Sequence, residues 1–140
     1  MKKCLVFLVF LVIALAMVGC GTTQQRLLDS DQNQLMLRSI QSRIFDTAEK
    51  EKTLRTVIAT LQDLGFVVDR ADYTLGTVTG TKLNYYNLKM TVSLRPRGDS
   101  RTLIRANAQY GLKPVVEPKP YQDFFVSLEK AMFLTAHQVD

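Results

Sequence analysis

Two stretches, residues 86–95 and 102–110, alternate side-chain character without a break, and nothing else in the chain restricts its fold as strongly. Tyr86, Leu88, Met90, Val92 and Leu94 share one parity, and Asn87, Lys89, Thr91, Ser93 and Arg95 the other. Thr102, Ile104, Ala106, Ala108 and Tyr110 do the same in the second stretch. Successive strand side chains point to opposite faces, so each stretch predicts a strand with one face on a core and one in water. The loop Pro96-Arg97-Gly98-Asp99-Ser100 between them predicts an antiparallel hairpin. The register expected from the pattern pairs Leu94 with Thr102, Val92 with Ile104, Met90 with Ala106 and Leu88 with Ala108. A slip of one residue would set Val92 opposite Arg105 and bring charge onto the core face. The small Ala106 and Ala108 leave room for a helix close over the sheet.

Further elements extend this frame. Leu54, Val57, Ile58, Leu61 and Leu64 recur at helical spacing, with Lys50, Lys52, Arg55 and Gln62 off the stripe. Asp46-Thr47-Ala48-Glu49 before them has the spacing of a capping box, and Gly65 after them suits a left-handed C-cap. Residues 66–70 and 77–82 predict two short strands around a polar turn with Asp72 and Gly76. Residues 36–45, with Met36, Arg38, Ile40, Ser42 and Ile44 on one parity, predict a strand, placed at an edge. Pro120 opens a last helix whose apolar stripe is Phe124, Phe125, Leu128, Ala131 and Met132. The expected class is therefore α+β: an antiparallel sheet of four to five strands with two helices packed on one face, in the order β-α-β-β-β-β-α.

The N-terminus has a different character. Lys2 and Lys3 precede an apolar run over residues 5–18, about 14 residues long, which matches a signal-peptide core and falls short of a spanning helix. Met17-Val18-Gly19-Cys20 ends that run and resembles the bacterial lipobox, which implies cleavage between Gly19 and Cys20 and acylation (palmitate included) of Cys20. The other reading is a short uncleaved anchor or an ordinary signal peptide. The expected division is a leader over 1–19, a lipidated, Gln- and Thr-rich flexible tether over 20–34 spanning roughly 20 Å, and one domain over 35–140. Cys4 lies in the leader, so the mature chain would hold no disulfide. Gly21 stands where inner-membrane lipoproteins of this kind often carry Asp. The expected location is accordingly the outer membrane, facing the periplasm.

Removing residues 1–19 of 140 leaves 121, enough for one domain with its own core. It also lowers the basic count from 18 to 16 against 13 acids, a mature charge of +3 that gives no reason to expect nucleic acid as a partner.

The helix running into Leu64-Gly65-Phe66-Val67-Val68, then Asp69, then Leu75-Gly76-Thr77-Val78, resembles the helix-grip domains of bacterial envelope lipoproteins, the BamC-like ones above all. The resemblance covers residues 45–82 in motif and the whole mature domain in layout. It implies a small accessory lipoprotein that binds something at the outer membrane, with an envelope protein as partner.

Residues for catalysis are sparse. The one histidine, His137, falls near the end of the last helix, where a positive charge suits the helix dipole. With Cys20 acylated, no His/Cys set is left for a metal, and no cofactor beyond the covalent lipid is expected. A non-catalytic interaction module is the leading expectation; the alternative is binding or sensing of a small amphipathic ligand or lipid between helices and sheet. Lys89, Arg95, Arg101 and Arg105 fall on the polar sheet face, either as a patch for an acidic partner or anionic lipid or as an ordinary solvated surface. Val115 and Val116, held between Pro114 and Pro118, form either an exposed contact loop or a flap over the sheet edge. Gly80, expected between Phe66 and Leu88, either opens a gap for a ligand or admits an aromatic ring beside a bulge.

Overall fold

The computed structural model describes residues 33–84 and 86–137, with the backbone alone at 84, 86 and 134–137. The leader, Gly19, Cys20 and nearly all of the expected tether lie outside the described residues. A compact unit begins at Leu37. Its elements are the last turn of helix α1 (33–40), β1 (Ser42–Phe45), α2 (Lys50–Asp63), β2 (Val67–Asp72), β3 (Thr77–Asn84), β4 (Tyr86–Pro96), β5 (Thr102–Tyr110), β6 (Lys113–Pro114) and α3 (Lys119–His137).

The class is α+β, with an antiparallel sheet in the order β1-β5-β4-β3-β2 and the two-residue β6 also on β5. Among the described residues three helices are present where two were expected. The additional one replaces the first half of the strand expected over 36–45. Leu37, Ile40 and Gln41 fit helical spacing as well as period two, and short runs of this kind are ambiguous. The Gln41 amide closes the last turn on the Leu37 carbonyl, and Ile40 packs against the core.

The inner face of the sheet carries Val78, Met90, Val92, Leu94, Ile104, Ala106 and Ala108, all buried. Leu54, Val57 and Leu61 of α2 and Tyr121, Phe124, Phe125 and Leu128 of α3 complete the same cluster, so α2 and α3 share that face. Two α2 positions on the buried side are threonines, Thr53 and Thr60, whose hydroxyls donate to the carbonyls of Glu49 and Thr56 one turn earlier.

The ends of α2 differ from each other. No side-chain cap forms at its start, because the helix begins at Lys50 and Asp46 stands a full turn away. The Thr47 hydroxyl instead accepts from the Glu49 amide. At the other end Gly65 takes a φ of 83°, its amide donates to the Gln62 carbonyl, and the Phe66 amide donates to the Leu61 carbonyl. This is the Schellman arrangement, and Phe66 and Leu61 seal it with an apolar contact inside the core.

The β4–β5 register is two residues away from the expected one: Leu94 faces Ile104, Val92 faces Ala106, Met90 faces Ala108 and Leu88 faces Tyr110. A shift of two preserves every side chain's face, so the apolar pattern is served equally by both registers. The turn decides between them. Pro96 pairs with Thr102, and the Arg97 amide donates to the Arg101 carbonyl, which leaves a three-residue loop whose Gly98 has a φ of 71°.

Candidate functional site

The outer face of the sheet is left open by α2 and α3, and its composition follows from strand parity. Thr77, Thr79 and Thr81 of β3 lie beside Ser93, Thr91 and Lys89 of β4, which lie in turn beside Arg105, Asn107 and Gln109 of β5. The hydroxyls of Thr79 and Thr91 are 3.1 Å apart and hydrogen-bonded. Lys89, Arg95 and Arg105 all belong to this face and are exposed. The register expected from the pattern would set Arg95 opposite Arg101; instead Arg95 faces Leu103, Arg105 faces Ser93 and Ser42, and Arg101 meets Arg97 at the closure of the hairpin. Arg97 thereby joins the cationic group, a membership that the expected register concealed.

Val115 and Val116 part company. Val115 is 2% exposed and belongs to the core, its amide donating to the Ala108 carbonyl across the edge of β5. Val116 is 64% exposed, so only it and its neighbours can meet a partner. The loop is fixed by Tyr121, a residue outside the expected apolar stripe. Its hydroxyl donates to the Val115 carbonyl at 2.7 Å and accepts from the Gln41 side-chain amide at 3.2 Å and the Ala108 amide at 3.3 Å. The spacing 121, 124, 125, 128 would have revealed it, since those four residues form one helical stripe.

Gly80 opens no gap in the core. It faces Val68 and Met90, beside the bulge between Val68 and Arg70, and a methyl group there would stand 3.3 Å from the Phe66 Cβ and 3.2 Å from the Val67 carbonyl. Space near Phe66 and Leu88 lies farther along, at the end of the sheet. A cleft of about 420 Å³ opens between the C-terminal end of α2 and the first turn of α3. Leu64, Phe66, Leu88, Tyr110 and Pro120 form its apolar walls, and Lys82, Glu117, Lys119 and Asp123 its polar rim. Lys82 arches over Phe66, its ammonium 5.9 Å from the ring centroid, while Lys119 is paired with Asp123 at 2.8 Å. Met90 and Phe124 do not line it and are packed in the core.

The buried polar side chains are Gln41, Thr53, Thr60 and Thr102, and each is engaged in a structural hydrogen bond. Among the described residues no group of three or more His, Cys, Asp or Glu side chains is placed to hold a metal ion. Among the same residues no helix is long and apolar enough to cross a membrane. Comparison of the sequence with models of known protein families and with curated proteins finds no match.

Proposed function

We propose that the chain is a non-catalytic lipoprotein, held at the outer membrane through Cys20, whose α+β unit serves as a periplasmic interaction or assembly module of the helix-grip type. The observation that carries this reading is the apolar run over residues 5–18 ending in Met17-Val18-Gly19-Cys20, followed by a chain with its own compact unit. The open polar sheet face supports it, because hydroxyl, amide and guanidinium groups there are available for recognition rather than for core packing. The test is membrane fractionation of a Gram-negative host, with mass spectrometry of the N-terminal peptide. Wild-type protein is expected in the outer membrane with an acylated Cys20 at its N-terminus, and the Cys20→Ser chain without acylation. An unmodified Cys20 in membrane-bound wild type would refute the anchor.

The cleft supports a second reading, capture of a small amphipathic ligand. Its volume and its apolar walls with a few polar groups at the rim match small-molecule sites. Leu88→Trp, which fills the cleft from β4, is expected to abolish displacement-sensitive binding of a fluorescent fatty acid. Undiminished binding by this variant would remove the cleft from consideration.

A further inference from the structure

We propose that the β4–β5 hairpin is a docking point for the phosphates of an anionic lipid surface, contacted by Arg95, Arg97, Arg101 and Arg105. All four side chains are exposed. None forms an ion pair with a described residue, a state they share with Lys89 and Lys113, whereas Lys52, Arg55, Arg70 and Lys119 are each matched to a carboxylate. Arg97 and Arg101 stand opposite each other where the hairpin closes, the Arg97 amide donating to the Arg101 carbonyl at 2.8 Å. Opposed like charges oppose folding unless something offsets them; Asp99 in the loop forms no ion pair with either arginine, and the hairpin keeps a net positive arrangement that an external anion relieves. Guanidinium forks suit phosphate oxygens in particular, through paired hydrogen bonds that a point charge does not make.

The source of the phosphates follows from how the chain enters the unit. Ser42 pairs with Arg105, and the Gln41 carbonyl accepts from the Ala106 amide. The chain from Cys20 therefore enters the sheet, after α1, beside Arg105, and β1 runs from there toward the hairpin with Phe45 beside Thr102, which favours the anchoring membrane over a distant acidic protein. In this respect the proposal rests on acylation of Cys20.

The chain has no tryptophan, so Ser100→Trp puts a single fluorescent reporter on the hairpin. The lipidated full-length product is reconstituted into vesicles of phosphatidylcholine, alone or mixed with phosphatidylglycerol, carrying a head-group spin label. Flotation with the vesicles reports anchoring; quenching of the tryptophan reports docking. The two readings thus fail separately. Quenching is expected in the phosphatidylglycerol vesicles, is reversed by high salt, and is weak in phosphatidylcholine. Each arginine near an anionic surface is worth roughly fivefold, so Arg95→Gln, Arg97→Gln and Arg101→Gln together lower the docked-to-free ratio about 100-fold. The paired residues Arg55 and Arg70, changed to Gln, leave it unaltered. Equal quenching in both lipids, or quenching that survives the triple substitution, would overturn the proposal.

Discussion

Replacing Tyr121 by Phe removes one oxygen atom from the centre of a side-chain hub that joins three separate segments. The phenol is fully buried, and its hydroxyl serves the Val115 carbonyl, the Ala108 amide and the Gln41 side chain at once. Ala108 lies on the inner face of β5, next to the end of β1, and its amide has no strand partner on that side. A buried group left without a partner costs about 1–3 kcal/mol. The two bonds accepted by the phenol are long, which puts each near 1 kcal/mol, and the short bond to Val115 adds about as much again. The expected loss is therefore about 3 kcal/mol, or roughly 12–24 °C in melting temperature for a unit of this size. Urea unfolding followed by circular dichroism measures it, with an unchanged slope as the sign that the ring still packs. Gln41→Leu in the same background separates the contributions. The pair is expected to couple by about 1 kcal/mol, because both changes delete one shared bond. A loss below about 0.5 kcal/mol for Tyr121→Phe would refute the view that this hydroxyl holds the 115–118 loop to the sheet edge.

Three further substitutions test local geometry. Gly65→Ala leaves ample room, its nearest neighbour being the Lys82 side chain at 3.6 Å, so its expected cost of about 1–2 kcal/mol is purely that of the left-handed backbone. Thermal unfolding checks it, and Gly65→Asn should recover part of the loss. Gly80→Ala meets Phe66 and the Val67 carbonyl and is expected to destabilise by about 1–3 kcal/mol, although alanine is the better strand residue; a gain in stability would show that β2 moves aside. Thr102→Val deletes the 2.7 Å bond from its hydroxyl to the Thr47 carbonyl, which ties the loop before α2 to β5. About 1 kcal/mol is expected, with faster hydrogen exchange at the first amides of α2.

The elements most legible in the sequence were those in which two independent signals agree. Helix α2 has both an apolar stripe and a terminal glycine, and the structure uses both. Strands β4 and β5 have parity over nine residues or more, which no helical spacing imitates. Where only one signal exists, as in residues 36–40 or at the Asp46–Glu49 spacing, the chain takes another course. The helical spacing 121, 124, 125, 128 marks Tyr121 for burial, but its bond to Gln41 joins residues 80 apart in the chain, and to that pairing local pattern is blind.

The candidate surfaces were less legible than the core for a reason rooted in the period of a strand. Moving β5 by two residues along β4 returns every core side chain to the core and every polar one to water, so burial cannot select between the two registers. Yet that movement re-sorts all cross-strand neighbours on the open face. It takes Arg101 away from Arg95 and sets it against Arg97, and it gives Arg105 the small Ser93 as its β4 neighbour. The selection is made by the three-residue turn with its left-handed Gly98, because loop length fixes which residues close a hairpin. A half-buried sheet thus over-determines its core by parity alone, while the neighbours that give its outer face a chemical character depend on a few residues of turn.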